Sequence, residues 1–459
     1  MKSRRSSRSV SPARRAAFDA LFQVTSDDSF ANLALGKVIR ERRLDPQQAS
    51  TCTEIVNGTA RLLGTYDRII ARASGRPLGS LQPAVVTVLR IVAHELLSMR
   101  TPSHAAVDEA VNLARTAVGQ RVTGVVNAIS RKIAARDLDG WLDLLTADED
   151  EAGALATRTH HPRWIADVYR AVLGPDAEAG LAANNLPAVP TLVVRPGLAD
   201  RPEVLDEAST ATPFSPFGFS RPGNPADLAA VRQGRVGVQD EGSQLMAWLL
   251  SIAPVSRDAD GLAWLDLCAG PGGKAALLTG LARERGTWLL AGEKAPHRAE
   301  LVRNALSAYP DGWQVVAADG TAPAWQPGAF ARVMADVPCT GLGSLRRRPE
   351  SRWRRTTADL ADLVALQRAL VDSAWAATAP GGVLAYVTCS PHPEETIEQV
   401  TAFLARHPEA DVLDAPALIP DVPEAAHPLD GRLVQLWPHR HGTDAMFGAL
   451  LRKPQQPTG

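Results

Sequence analysis

Apolar residues change period along this chain, and the changes mark its parts. Up to about residue 145 they recur every three to four positions. Ala16, Ala17, Leu21 and Phe22 form a first face, and Ala31, Leu33, Ala34 and Leu35 begin a second. Ile55, Val56, Leu62 and Leu63 follow, then Val85, Val86, Val88, Leu89, Ile91 and Val92, then Ala106, Val107, Ala110 and Val111, then Val122, Val125, Val126, Ile129 and Ile133. This spacing predicts a nearly all-helical region with a bundle core. Pro83 and Pro102 stand where helices start. Residues 146–159 are small and partly acidic and read as a linker or a first solvated helix turn. A helix is expected from His161 through Leu173, a strand over 191–195, and a second apolar run at 230–232 ahead of Gly234 and Val236. Beyond residue 260, strand-length apolar runs at 262–267, 288–292, 313–318, 331–335 and 382–387 alternate with helical patterns such as 360–377 and 394–405. Repeated strand–helix units imply a parallel sheet covered on both faces. A last strand, 448–453, is expected to close it.

A chain of 459 residues exceeds one ordinary core, so several domains are expected. We divide it into a disordered basic leader (1–9, the start of a Ser/Arg-rich stretch reaching Arg15), an all-helical domain (10–145), a linker with a small α/β subdomain (146–235) and an α/β domain (236–455). Apolar residues make up 45%, yet no run reads as a membrane span or signal peptide. The net charge of -1 says nothing about polyanionic partners, so local distribution must carry that argument. The four cysteines, Cys52, Cys268, Cys339 and Cys389, are far apart and follow no metal or disulfide spacing. A reducing cytoplasm and no metal are the expectation.

The most specific local chemistry lies at Asp266-Leu267-Cys268-Ala269-Gly270-Pro271-Gly272-Gly273-Lys274. A strand runs into a tight glycine turn and then a helix, where backbone N–H groups are free and a ligand can approach closely. Lys274 is not followed by Ser or Thr, so this is not a phosphate loop, and the glycine spacing is not the dinucleotide fingerprint. A cofactor carrying adenosine without phosphate fits better, although a glycine-rich turn alone occurs in many α/β proteins. Acids recur at successive strand ends: Asp266, Glu293, Asp319 and Asp336. In open α/β sheets ligands bind beyond those ends, and acids are seldom buried there unpaired. Glu293 can accept both ribose hydroxyls, and Asp319, followed by Gly320, can hold the adenine edge. Asp266 suits the cationic end of S-adenosylmethionine. Cys339 and Cys389 each follow a strand beside Pro, Thr or Ser. A lone cysteine is usually a small buried hydrophobe, but two at neighbouring strand ends suggest a nucleophile. Cys268 reads as packed rather than reactive. Phe214, Phe217 and Phe219 read as loop anchors.

Two resemblances extend this reading. Residues 90–97, His104-Ala105-Ala106-Val107-Asp108-Glu109-Ala110-Val111 and Val125-Val126-Asn127-Ala128 resemble the NusB-like RNA-binding domain over roughly residues 10–140. From about residue 155 on, the chain resembles the RNA (cytosine-C5) methyltransferases of the Sun family. The resemblance rests on the loop 266–274, on Asp336-Val337-Pro338-Cys339-Thr340-Gly341, on Tyr386-Val387-Thr388-Cys389-Ser390 with Pro393-Glu394-Glu395, on Arg346, Pro349 and Trp353, and on residues 238–244. Together these imply a multidomain protein: an all-α NusB-like domain, a small α/β subdomain, and an α/β Rossmann-like S-adenosylmethionine-dependent methyltransferase domain. They imply Cys389 as nucleophile on cytosine C6, Cys339 as the release cysteine, Asp336 at the base edge and Lys274 in the same cleft. They place the cofactor on Cys268, Ala269, Gly270, Pro271, Gly272, Gly273, Lys274, Asp266, Glu293, Arg298, Asp319, Gly320 and Asp336. The implied partner is 16S ribosomal RNA, at cytosine 967, bound by a monomer without a membrane. Arg346, Arg347, Arg348, Arg352, Arg354 and Arg355 would form a phosphate track. Another RNA substrate, or a non-catalytic assembly role, stays open. Glu293 stands where the family has Asp, and residues 444–447 replace its D-G-F-F pattern, but no reactive group is missing.

Overall fold

The computed structural model describes residues 10–26, 31–322 and 324–455. The leader expected at 1–9 lies outside the described residues. The chain forms two compact units, Met1–Asn185 with Arg347–Arg354, and Leu186–Arg346 with Arg355–Gly459.

The first unit is helical throughout. Its helices include Pro12–Ser26, Pro46–Arg61, Leu63–Ser74, Pro83–Leu97, Ser103–Ala117 and Thr123–Ile133. Pro83 occupies the first turn of its helix, where a missing N–H costs nothing. The apolar faces read from the periodicity meet in one core: Ala16, Ala17, Leu21, Ile55, Val56, Val88, Leu89, Val92, Ala106, Ala110, Val126, Ile129 and Ile133 are all buried together. Helix Pro12–Ser26 starts inside the Ser/Arg-rich stretch, because Ala13, Ala16 and Ala17 have a core to enter.

Two sequence expectations are corrected here. Of the two readings of residues 146–159, a linker or a first solvated helix turn, the helix turn is the one found, and the helix runs on to Arg158. Asp150 caps helix Glu151–Arg158 by accepting from the Gly153 N–H, and Ala152, Ala156 and Thr157 are buried. Helices Arg163–Leu173 and Ala177–Ala183 also belong to this unit, so the division falls after Asn185 and not after residue 145. The acidic run suits this place, because an N-cap Asp and a first-turn Glu are helix-favouring positions.

The second correction concerns the arginines. Residues 347–354, far along the chain, complete the helical unit. Arg352 is fully buried. Its Nη1 donates to the His160 carbonyl at 3.1 Å and to Asn185 Oδ1 at 2.7 Å, and its Nη2 donates to the Asn184 carbonyl at 3.1 Å. These are orphan carbonyls at and beyond a helix C-terminus. Glu350 accepts from the Ala31 N–H, Trp353 Nε1 donates to the Ala60 carbonyl, and Arg354 donates to the Val24 carbonyl. Arg352 and Arg354 therefore hold backbone rather than a phosphate track. Burial lowers the Arg352 pKa to about 9, with Arg61 adding to the effect.

The second unit holds two sheets. A small antiparallel sheet runs β2–β3–β1–β4, from β1 (Thr191–Val194), β2 (Thr210–Ala211), β3 (Gly218–Ser220) and β4 (Val236–Val238). Residues 230–232, expected as an extended run, form part of helical turn Ala229–Arg232. The large sheet contains β5 (Trp264–Asp266), β6 (Leu289–Glu293), β7 (Trp313–Ala317), β8 (Phe330–Asp336), β9 (Thr378–Thr388), β10 (Asp411–Val412), β11 (Ala426–His427), β12 (Asp430–Gln435) and β13 (Phe447–Arg452). Its order is β11–β12–β13–β9–β8–β5–β6–β7, with β10 beside β13. Strands β7, β6, β5, β8 and β9 are parallel, and β13 joins β9 antiparallel. The last strand is therefore internal and does not close the sheet. β12 and β11 lie beyond it, in short strands that periodicity did not register.

Strand residues alternate between two cores, as a period of two requires. On β9, Val383, Ala385 and Val387 enter the core with helices Glu241–Ile252 and Gly273–Glu284, while Leu384 and Tyr386 enter the core with Leu370, Val371 and Phe403. Both faces are covered, and the carboxyl ends of the parallel strands are left to carry chemistry.

Arg352→Ala is expected to destabilise the helical unit by about 2–3 kcal/mol, because it strands carbonyls that stay buried. Hydrogen exchange in residues 151–158 and 177–183 should rise. Unchanged protection would show that those carbonyls find other donors.

Candidate active site

The parallel pairing of β5, β6 and β8 brings three acids to one edge, since Asp266, Glu293 and Asp336 are each the last residue of a strand. Asp319 lies two residues past β7.

The glycine loop sits against Glu293. A Cβ on Gly270 would lie 2.1 Å from Glu293 Oε2, and Gly272 adopts φ +112°, facing Ala305 and Val302. Any other residue would push the loop off the acid. Arg298 braces both partners: its Nη2 donates to the Gly270 carbonyl at 2.6 Å, and its Nε lies 3.6 Å from Glu293 Oε2. Glu293 Oε1 accepts from the Ala295 N–H at 3.0 Å. Asp319 Oδ1 accepts from the Thr321 N–H and hydroxyl, and Lys294 Nζ lies 2.7 Å from Oδ2. Hydrogen bonds from Lys294 and Thr321 hold the half-exposed Asp319 carboxyl down at about 2. Gly320 packs on Leu370 and Leu267. Cys268 is largely buried, and burial followed by Asp266 raises its pKa well above the usual thiol range.

Asp266 is 1% exposed, and neither carboxylate oxygen makes a full hydrogen bond among the described residues. Burial first, then Asp336, raises its pKa to about 8, while Lys274 and the Cys268 backbone pull the other way. A buried carboxylate this short of partners suits a neighbouring cation. Glu293 against a close glycine loop suits a ribose. The residues present therefore fit a cationic adenosine cofactor.

The reactive groups lie beside this edge. Cys339 Sγ and Cys389 Sγ are 3.4 Å apart, and Lys274 Nζ pairs with Asp336 Oδ2 at 2.9 Å. β8 and β9 run in register, Asp336 opposite Val387, so the two cysteine loops leave the sheet side by side. The loops are then stapled: Gly343 N–H donates to the Cys389 carbonyl at 2.9 Å, and the Thr340 and Ser390 hydroxyls meet at 3.2 Å. Beneath them Glu395, fully buried, accepts from the Thr340 N–H at 2.7 Å, from the Thr340 hydroxyl and from Gln367 Nε2 at 3.0 Å. Gln367 also donates to the Pro338 carbonyl, and Tyr386 donates to the Glu395 carbonyl. The sequence reading gave no role to Glu395, Gln367 or Tyr386. Pro393-Glu394-Glu395 was visible as a motif, but its partner Gln367 lies on helix Thr357–Ala377 and carries no local signal.

The thiols are unequal. Cys389 is shifted below the ordinary thiol value, chiefly by the hydrogen bond from Cys339 and also by Lys274, against burial and Asp336. Cys339 is pushed well up by the same hydrogen bond and by burial. A hydrogen bond from the Cys339 thiol to Cys389 therefore favours the thiolate form of Cys389 over that of Cys339. Lys274 stays charged: burial acts to lower its pKa, but Asp336 and Cys389 raise it further. His392 is partly buried and caps the turn Pro393–Glu395 by accepting from the Glu394 N–H.

The turn before helix Glu241–Ile252 locks the small sheet to the large one. Asp240 Oδ1 accepts from the Gly242 and Asp444 N–H groups, and Glu241 Oε1 accepts from the Phe214 and Ser215 N–H groups. Arg346, the first arginine of the expected phosphate track, donates to the Gly442 carbonyl at 2.5 Å.

Comparison with known proteins follows this geometry. Residues 251–452 match the family model described as 16S rRNA methyltransferase RsmB/F, and residues 11–135 match the NusB family. The chain is 44% identical over 453 residues to "Putative methyltransferase Rv1407" of Mycobacterium tuberculosis, covering 97% of each chain. It is 32% identical over 450 residues to "Ribosomal RNA small subunit methyltransferase B" of Vibrio cholerae, covering 96% of this chain and 97% of that one. Among solved structures, PH0851 is similar at a TM-score of 0.81 and 23% identity, covering 96% of this chain and 98% of that one.

Because Asp266 keeps its proton when folded to about pH 8 and loses it near pH 4 when unfolded, it lowers stability as pH rises through that window. Asp266→Asn cannot titrate. Its urea midpoint should match the native protein near pH 4 and exceed it increasingly toward pH 8. A difference that stays flat with pH would mean Asp266 ionises normally.

Proposed function

Since this chain belongs to the RsmB/F family of S-adenosylmethionine-dependent RNA methyltransferases, with a NusB-type domain at its N-terminal side, we propose that it methylates C5 of a cytosine in 16S rRNA, cytosine 967, with Cys389 as nucleophile. The observation that carries this reading is the pair of thiols 3.4 Å apart with opposite pKa shifts, beside the Lys274–Asp336 ion pair.

S-adenosylmethionine supplies, when bound, a methyl group on a positively charged sulfur. In our reading Glu293 takes the ribose hydroxyls, with Arg298 fixing its carboxylate and the Gly270 carbonyl. Asp319 and Gly320 take the adenine edge. Asp266, residues 268–274 and Asp336 surround the cationic end, and Asp266 acts through its charge, since its oxygens are sealed from solvent.

The cytosine must leave its stack to reach Cys389, at a cost of about a few kcal/mol. Cys389 Sγ attacks C6, and the electron pair of the C5–C6 double bond shifts onto C5 and, through C4, to N3, which takes up a proton and leaves C5 as a nucleophilic enamine carbon. Asp336, kept in place by Lys274 on Oδ2, receives the N3/N4 edge and balances the charge that develops there. Once C5 carries its methyl, a proton must leave C5 and the Cys389 sulfur must leave C6. Cys339 assists this release from beside both. Glu395 and Gln367 are positioning residues, because they hold the Thr340 and Pro338 backbone on which Cys339 stands. The helical domain contributes RNA affinity, and its guidance toward small-subunit RNA is supported by the substrate in the name of the Vibrio cholerae relative.

Cys389→Ala should abolish methyl transfer while S-adenosylmethionine binding by calorimetry persists. Methylation at the native rate would end the mechanism. Cys339→Ala should accumulate a protein–RNA adduct stable in denaturant, and an adduct-free variant would contradict the release role. Mapping labelled methyl groups on total RNA tests the target, and a label confined to another RNA would overturn it.

A further inference from the structure

The thiol pair has chemistry beyond the methyl-transfer cycle. Both residues are partly buried, in loops bound to each other, with their sulfurs 3.4 Å apart. A disulfide needs about 2.05 Å, so the sulfurs must approach by roughly 1.4 Å, a shift that rotation about the two Cα–Cβ bonds can supply. The staple from the Gly343 N–H to the Cys389 carbonyl ties the two loops together. The other two thiols are differently placed: Cys52 is fully buried, and Cys268 is a packed residue of the glycine loop with a raised pKa.

We propose that Cys339 and Cys389 form a reversible disulfide on exposure to hydroperoxides, a modification site that takes the protein out of methyl transfer and protects its thiols from permanent oxidation. Cys389 sulfur attacks the terminal oxygen of the hydroperoxide, giving a sulfenic acid and releasing the alcohol, or water from hydrogen peroxide. Cys339 sulfur then attacks the Cys389 sulfur, the S–S bond forms, and hydroxide leaves with the Cys339 proton as water. Two thiols are oxidised by two electrons, and one peroxide O–O bond is reduced. A dithiol reverses the bond by exchange. Cys389 is the natural first site because Cys339 donates its hydrogen bond to it and Lys274 stands near, both favouring thiolate. Lys274, Asp336, Glu395 and Asp444 are the charged groups that influence the pair. Asp336 acts on both sulfurs, Glu395 on Cys339, and Lys274 and Asp444 on Cys389, so the pair as a whole sets the response. The loss of activity rests on the catalytic reading of Cys389, whereas the disulfide rests on geometry alone.

The test uses the full-length reduced protein treated with hydrogen peroxide, then alkylated, digested and analysed by mass spectrometry without reductant. The expected result is a Cys339–Cys389 linked peptide, two hydrogens lighter than the reduced pair, with Cys52 and Cys268 still alkylated. Methylation should fall in proportion to the linked fraction and return with dithiothreitol. In Cys339→Ser, Cys389 should instead progress to a sulfinic acid that dithiothreitol does not reverse. Native protein that accumulates Cys389 sulfinic acid without the linked peptide, or that keeps both thiols alkylatable, overturns the proposal. Linked protein that methylates fully would leave the disulfide standing and overturn the catalytic reading, so the two fail separately.

Discussion

The in-register parallel pairing of β8 with β9 is the constraint on which the site depends. Asp336 lies opposite Val387, so whatever follows each strand emerges at the same height. A slip of one residue would carry Val383, Ala385 and Val387 to the other core and turn each loop over. The alternation of these residues with Leu384 and Tyr386 makes such a slip costly, because both faces are dry. Two hydrophobic cores thus set the distance between two sulfurs. Glu395 then refines it, since a buried carboxylate with three donors from Thr340 and Gln367 has little freedom to move.

Electrostatics at the strand ends is uneven in a useful way. Asp336 and Asp319 each meet a lysine, and Glu293 meets an arginine, so those acids are held in place. Asp266 has no such partner and sits in the driest position. A bound cation favours the ionised form of Asp266 over the protonated one, which links affinity for a positively charged ligand to the proton on this acid.

Much of this was legible beforehand because it lay in local patterns. The helical period placed Ile55, Val88, Ala106 and Val126 in one core, and the acids and cysteines announced themselves at the ends of apolar runs. What stayed hidden had its cause at a distance. Arg352 read as a surface cation until the carbonyls of His160 and Asn184 were brought to it. Asp148, Glu149, Asp150 and Glu151 left a linker and a helix turn both open because the core that buries Ala152 and Ala156 is not adjacent in sequence. Strands β10 and β11, of two residues each, are too brief for a period of two to show, and Gln367 gains meaning only from Glu395.

The segment Arg347–Arg354 has one more consequence, which concerns time. The helical unit is nearly all synthesised by Asn185, yet the side chain that satisfies its last carbonyls arrives about 170 residues later. At synthesis rates of about 5–20 residues per second, that is an interval of roughly 10–30 s. A nascent chain of this protein thus carries an unfinished first domain while the strands of the next are still emerging, and it completes the earlier structure only after β8 and the Cys339 loop have been made.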